Sequence, residues 1–309
     1  MKFSIIINKS ANFYFFIQNL SEWHFSNRKD YNVLWRKELG QFSSQEENAL
    51  KQLKEIHSRY PFGKLYLGRQ FFLEENPWAI LEPKLSPEDF TNLENIFSSF
   101  KKKFDNFYSK ELILLEKWQM TLQKKLDNEN LITAINATLA KLYDAPPFSK
   151  DIIIHLLPSN ENHSGGAGGI IDNRSINLEI SRSPLERVSH AIGIIFHEIT
   201  HLYFEKQSFL LRVNKKYLNN SDAVNLVKEA TNSSLFPNGA LGIKFLNIKD
   251  GLLNAKIPSK YTGKLLILTN KYIGEGRQFD DEYIETIYSL VSELKGARSL
   301  IKKSFSAFR

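Results

Sequence analysis

One long amphipathic segment, SPLERVSHAIGIIFHEITHLYFEK at residues 183–206, restricts the fold more than any other part of the chain. Ser183, Pro184 and Glu186 match the cap, the first-turn proline and the capping box of a helix start, so the segment is predicted to be one helix. Its apolar residues follow spacings of three and four: Leu185, Val188, Ile192, Ile195, Ile199 and Leu202. These residues form one stripe that faces a hydrophobic core, and the polar residues lie on the opposite face.

The opposite face of this helix carries the pentapeptide HEITH at residues 197–201. At about 100° per residue, His197 and His201 lie roughly 40° apart and one turn from each other, so both imidazoles can bind one ion. Zinc binds neutral imidazole nitrogens at about 2 Å and, in catalytic sites, keeps one position open for water. Glu198 lies on the flank of the same face, where its carboxylate could take a proton from that water.

The alternative interpretation of the pentapeptide is a chance match on a buried helix. The chain has 7 His and 23 Glu among 309 residues, and random order would give roughly 0.01 such pentapeptides. Placement on a capped helix, which the motif requires, also argues against chance. The sequence therefore predicts one zinc ion per chain, with His197 and His201 as ligands and Glu198 as the catalytic base.

HEITH on a helix with an apolar back resembles the active-site helix of the zincin metallopeptidases. The metzincin branch extends the motif with Gly and His at positions where this chain has Phe204 and Gln207. The chain is therefore similar to the gluzincin, thermolysin-like branch, whose third ligand is a Glu on a later helix. The resemblance covers residues 150–235, and the first half of the chain carries no motif of the family.

Glu229 is the carboxylate that this resemblance selects as the third metal ligand. It lies in a predicted helix, DAVNLVKEATNSS, which Asn220 or Ser221 can cap and which ends before Pro237. The interval of 28 residues after His201 has room for one connection and two helical turns. This interval is long enough for the third ligand to lie on a separate helix next to the histidine helix.

Two alternatives to this ligand assignment remain in the sequence. The helical Glu could simply face solvent beside Lys228, or Glu205 could bind the ion, although it lies one further turn along the histidine helix. Asn225 and Ser233 lie one turn on either side of the predicted ligand and could supply hydrogen bonds to it. The thermolysin-like pattern has Asn before this Glu and Asp four residues after it, where the chain has Lys228 and Ser233. The resemblance therefore does not specify which residue forms a hydrogen bond with the ring nitrogen of His197 that does not bind the metal.

The resemblance implies hydrolysis of peptide bonds in a peptide or protein substrate. A zinc-activated water would attack the bond, and Glu198 would act as its general base. The competing hypothesis is a zinc-binding peptide-recognition or regulatory protein without turnover. The intact Glu198 favours the enzyme, because a structural zinc site needs no general base and usually has four protein ligands.

Two further features of the family are less well defined in this chain. The Gly-Ala-Met-Glu-Asn signature of aminopeptidases is replaced by Gly-Ala-Gly-Gly-Ile at residues 166–170, so the resemblance does not imply aminopeptidase specificity. The glycines there suit either a close approach to a peptide or a hairpin turn. Related enzymes stabilise the oxyanion with a later Tyr or His, and the spacing does not select among Tyr261, Tyr272 and Tyr283.

The predicted fold class is α+β, with a mostly helical N-terminal region at residues 1–147 and a zincin-like domain at residues 148–309. Pro146 and Pro147 mark the boundary, because paired prolines stop a helix. In the N-terminal region, the sequence also predicts aromatic core packing, a helix at 45–59, two or three helices within 87–126 with Ser109 as a cap, and a helix at 131–143. Ser43 and Ser44 precede Glu46 and Glu47 at the spacing of a capping box, which predicts the start of the helix at 45–59. In the second region it predicts a buried strand DIIIHLLPS in which His155 is a core residue, a hairpin with its turn at Asp172-Asn173, and a helix at 280–294.

Composition limits the classes of protein to which the chain can belong. The absence of cysteine excludes disulfides and thiolate zinc ligands. The apolar run in MKFSIIINKS is too short for a secretory signal, and the chain has no run of about 18 apolar residues, so a cytoplasmic protein without a membrane span is expected. The net charge of +7 comes from scattered residues, which predicts no nucleic-acid partner. Oligomeric state is not specified.

Overall fold

The computed structural model describes residues 1–23, 29–60, 67–159, 169–172, 175–180, 182, 188–248 and 259–292. These residues are mostly helical and contain one small sheet, which confirms the α+β class. The helices are α1 (Lys9–Ser21), α2 (Lys29–Leu39), α3 (Ser44–Arg59), α4 (Leu67–Leu73), α5 (Pro77–Leu81), α6 (Pro87–Leu126), α7 (Glu129–Tyr143), α8 (Val188–Leu202), α9 (Ser208–Lys216), α10 (Ser221–Leu235), α11 (Ala240–Leu246), α12 (Ser259–Glu275) and α13 (Asp281–Ser292). Within the described ranges, no helix has the length and apolar character needed to cross a membrane.

The helices that the sequence predicts individually are found with one exception, whereas α1, α2, α4 and α5 were not individually predicted. Helix α3 begins after Ser43, which forms the predicted capping box with Glu46, and α7 and α13 match their predicted segments. The exception is α6, which is one continuous helix of 40 residues. The Ser109 hydroxyl donates to the carbonyl of Asn106 within the helix, so it does not cap a new one. The buried stripe continues past it through Leu115 and later residues, and this continuous burial outweighs the local capping preference.

The aromatic residues of the N-terminal region form the core there, as predicted. Trp35 and Phe16 are fully buried and stack with ring centroids 5.7 Å apart. Phe107 of α6 lies 5.1 Å from Phe16 and 4.9 Å from Trp35, centroid to centroid. Packed rings of this size supply much of the apolar area that a helical layer buries.

The sheet contains β1 (Phe3–Ile6), β2 (Ile152–Pro158), β3 (Gly169–Asp172) and β4 (Ser175–Ile180), in the order β1-β2-β4-β3. The first three strands in this order are parallel, and β3 pairs antiparallel with β4. The predicted strand and hairpin are thus confirmed, although Asn173 of the predicted turn and residues 160–168 of the glycine-rich segment lie outside the described residues. Strand β1 comes from the predicted N-terminal region and pairs with β2, so the sheet joins both sides of the predicted boundary at residue 147.

The sheet and the long helix α6 provide the surface on which α8 lies. Val188, Ile192, Ile195, Ile199 and Leu202 are all at most 5% exposed, so the predicted apolar stripe faces the core. His155 on β2 is 3% exposed, as predicted for a core residue. This packing directs the HEITH face of α8 away from the sheet.

Candidate metal centre

Helix α8 ends four residues earlier than predicted. After Leu202 the chain turns at Tyr203, where φ is −131°, and a short 3-10 turn spans Phe204–Lys206. The turn buries the Phe204 ring completely, 6.2 Å from the ring of Tyr143. Glu205 therefore does not lie one further helical turn along the histidine face. The predicted cap and first turn, residues 183–187, lie outside the described residues.

Helix α10 brings the predicted third ligand to the two histidines. The Asn220 side chain accepts a hydrogen bond from the Ala223 amide and caps the helix, as predicted. In the described part of the chain, His197, His201 and Glu229 form the group that could hold a metal ion, with one ligand atom from each within 4.8 Å of the others.

The distances within this group are those of a compact ligand set. Nε2 of His197 lies 3.1 Å from Nε2 of His201. Oε1 of Glu229 lies 3.4 Å from Nε2 of His201, and Oε2 of the same carboxylate lies 4.0 Å from Nε2 of His197. Ligand atoms about 2 Å from a tetrahedral zinc ion are about 3.3 Å from one another. Two imidazole nitrogens and a carboxylate group at these separations are therefore compatible with one zinc ion.

The other ring nitrogen of each histidine contacts an oxygen that can only accept. Nδ1 of His197 lies 3.2 Å from the carbonyl oxygen of Phe236, and Nδ1 of His201 lies 2.9 Å from the carboxylate of Glu205. Nδ1 of His197 must therefore carry the hydrogen and donate it, because a carbonyl has none to give. Nδ1 of His201 also lies 2.8 Å from the amide nitrogen of Asn232, but the Glu205 carboxylate can only accept and therefore favours a hydrogen on this Nδ1. This leaves both Nε2 atoms directed at the space between the ligands, which is the usual arrangement around a metal-binding histidine.

A cluster of polar residues lies beside Nδ1 of His201, on the side of the ring away from Nε2. Glu205 is 2% exposed, and its carboxylate lies 2.9 Å from Nζ of Lys228. The amide of Asn232 donates to the same carboxylate at 3.0 Å and accepts a hydrogen bond from the Tyr143 hydroxyl. Every polar partner in this group is thus paired, which a buried carboxylate requires.

Sequence reasoning missed most of this supporting group. The sequence predicts Asn225 and Ser233 as the polar neighbours of Glu229 on α10. In the structure, the side chain of α10 that contacts Glu205 and His201 is Asn232. A usable signal was present, because Asn232 follows Glu229 by three residues and therefore shares its helix face. The carbonyl of Phe236 gives no signal in a sequence, since every residue carries one.

Charges around the site change the pKa values of both histidines. Burial, followed by the nearby charge of His201, lowers the pKa of His197 to about 4. Burial also opposes the charged form of His201, but the carboxylates of Glu229 and Glu205 outweigh it and raise the pKa of His201 to about 9. The pocket thus favours one positive charge between the two rings, held by a proton when no metal is bound.

Glu198 is partly buried beside the two histidines. Burial, together with the negative charges of Glu229 and Glu205, raises the pKa of Glu198 to about 8. A carboxyl group with a pKa near neutrality can both accept and release a proton at physiological pH. A metal cation at the ligand set would favour the carboxylate and lower this pKa.

The described tyrosine candidates for oxyanion stabilisation are core residues. Tyr272 is 1% exposed and its hydroxyl donates to Asp280. Tyr283 is fully buried beside the hydroxyls of Ser234 and Thr269. Both side chains are therefore part of the core. The side chain of Tyr261 lies outside the described residues.

A comparison of the chain with protein-family models, with curated proteins and with solved structures finds no match in any of the three.

Proposed function

We propose that this chain is a zinc-dependent peptidase. The observation that carries the proposal is the close approach of His197, His201 and Glu229. The two Nε2 atoms lie 3.1 Å apart, and each has an oxygen of the Glu229 carboxylate within 4.0 Å, which is compatible with one tetrahedral zinc ion. Three protein ligands, rather than four, are typical of a catalytic zinc site, because the fourth position is left for water or substrate.

The residues of the chain have separate roles in this proposal. His197, His201 and Glu229 hold the ion, and the Phe236 carbonyl and the Glu205 carboxylate fix the orientation of the two rings. A bound zinc ion would polarise the scissile carbonyl and lower the pKa of a water molecule. Glu198 takes the proton from the attacking water and passes it to the leaving amine.

A peptide substrate is supported by two observations. The first is the resemblance of HEITH on its helix to the zincin active-site helix. The second is the position of β3, which contacts α8 and is the terminal strand of the sheet in the described part of the chain. An extended peptide can pair with such an edge through its backbone.

Metal analysis followed by a cleavage assay tests the proposal. The purified wild-type protein should contain about one zinc ion per chain, and a His201→Ala variant should lose it. Cleavage of a broad peptide library should stop when a chelator removes the zinc and return when zinc is added. Stoichiometric zinc in His201→Ala would show that the ligands lie elsewhere, and a wild type that binds no zinc would contradict the proposal.

A further inference from the structure

Helix α8 contacts the segment after α10 at Gly193, where the helix has no side chain. A Cβ atom built on Gly193 would lie 2.7 Å from both Cα and Cβ of Pro237. Such contacts are far shorter than carbon atoms tolerate. Any other residue at position 193 would therefore push this segment and α8 apart.

A second glycine also lies close to the same segment. A Cβ atom on Gly242 of α11 would overlap the carbonyl oxygen of Pro237. Two helices thus approach Pro237 closely, each at a glycine. Gly193 lies inside α8, where glycine is intrinsically less favourable than alanine, so the helix itself gains nothing from it.

The carbonyl that accepts from His197 belongs to this segment. Phe236 directly precedes Pro237, its oxygen lies 3.2 Å from Nδ1 of His197, and its ring stacks on Phe196 at 5.6 Å. His197 follows Gly193 by four residues and so lies one turn further along the same face of α8. The distance between α8 and Pro237 therefore determines where the Phe236 carbonyl meets the imidazole.

We propose that Gly193 is a positioning residue for the metal centre. By letting the Phe236–Pro237 backbone approach α8, it places the Phe236 carbonyl where it fixes the hydrogen of His197 on Nδ1 and leaves Nε2 for the ion. The role in metal binding rests on the proposed zinc function. The role in orienting His197 does not, because the hydrogen bond is made without any metal.

The test compares Gly193→Ala with Gly263→Ala. Gly263 lies on α12, and a Cβ atom there would meet nothing within 4 Å, so this variant is a matched control for a glycine-to-alanine change in a helix. Gly193→Ala should bind zinc about 10 to 100-fold more weakly, the usual effect of disturbing a hydrogen-bond partner of a ligand. Gly263→Ala should bind zinc as the wild type does.

Nitrogen-15 NMR of the histidine rings in the metal-free proteins supplies the second measurement. His197 should carry its hydrogen on Nδ1 in the wild type and in Gly263→Ala, and should lose this single form in Gly193→Ala. A purely structural glycine would lower thermal stability without changing the ring. Unchanged zinc affinity and an unchanged His197 ring in folded Gly193→Ala would overturn the proposal.

The wild-type protein decides the outcome if Gly193→Ala does not fold. Hydrogen on Nε2 of His197 in the metal-free wild type would contradict the proposal, and a stable hydrogen on Nδ1 would support it. A wild type that shows this Nδ1 hydrogen but binds no zinc would refute the proposed function while leaving the orientation of His197 by Gly193 intact. The two failures are therefore distinguishable.

Discussion

Nε2 of His197 lies 3.1 Å from Nε2 of His201, and Nδ1 of each ring lies beside an oxygen that can only accept a hydrogen. Two neutral rings in this arrangement would direct their lone pairs at each other. The contact is favourable only when a cation or a proton lies between the nitrogens. The raised pKa of His201 reflects the same preference for positive charge.

The first prediction separates the ligand on α10 from an ordinary surface carboxylate. Glu229→Ala should weaken zinc binding by orders of magnitude, because it removes one of the three protein ligands. Glu285→Ala removes a similarly exposed carboxylate from α13 and should leave zinc affinity unchanged. Both affinities are measured by competition with a chelator. Equal effects of the two changes would remove Glu229 from the ligand set.

The second prediction concerns the carboxylate behind His201. Glu205→Ala should lower zinc affinity about 10 to 100-fold, since it removes the acceptor that orients the ring but not a ligand. The loss should therefore be smaller than in Glu229→Ala. The reverse order of the two losses would mean that Glu205 binds the ion and would contradict the gluzincin-like ligand assignment.

The third prediction tests the buried hydrogen bond between Tyr143 and Asn232. Tyr143→Phe leaves Oδ1 of Asn232 without its donor in a buried position, which typically costs about 1–3 kcal/mol of unfolding free energy. Denaturant unfolding of Tyr143→Phe, of Asn232→Ala and of the variant that carries both changes measures the coupling. If the two losses simply add, the hydrogen bond contributes nothing to stability.

Comparison of these residues shows what a sequence can reveal of such a site. His197, Glu198 and His201 were predictable because helical periodicity alone places them on one face of α8. Glu229 was predictable only with the family resemblance. The contacts of Glu205 depend on the chain turning after Leu202, and the packing that drives this turn involves residues far apart in sequence.

The same limit applies to the fold. The capping box of Ser43 and Glu46 predicted the start of α3 correctly, because both partners are local. Ser109 has the same local preference for a cap, but it lies within α6, where the buried stripe continues on either side. Burial along 40 residues outweighs one cap, which typically contributes about 1 kcal/mol.

The fourth prediction concerns stability in acid. The guanidinium of Arg59, which donates to Asp89, holds the pKa of this carboxyl below its ordinary value, with further help from the hydroxyl of Tyr60. A lowered pKa stabilises the fold above the unfolded-state pKa, and this contribution disappears as pH falls through the folded-state pKa. Asp89→Asn should therefore be less stable than the wild type at pH 7, and the difference should shrink below about pH 4. A difference that is constant from pH 7 to pH 2 would exclude the ion pair as its cause.

The last prediction separates the enzyme from a zinc-binding recognition protein. Glu198 flanks the ligand set without belonging to it, so Glu198→Gln should keep its zinc and its fold. The amide cannot accept a proton from water, and loss of a positioned general base commonly lowers the rate by 10² to 10⁴. Chelator-sensitive peptide cleavage should fall by about this factor in Glu198→Gln, with zinc content measured on the same samples.

Two outcomes of this experiment would contradict the peptidase. Cleavage at the wild-type rate in Glu198→Gln would remove the proposed base from the mechanism. If the zinc-loaded wild type cleaves nothing in a broad library, yet peptides bind equally well to both forms, the recognition function is correct. In that case the raised pKa of Glu198 would reflect only burial beside the carboxylates of Glu229 and Glu205, because a group that transfers no proton during a reaction gains nothing from a pKa near neutrality.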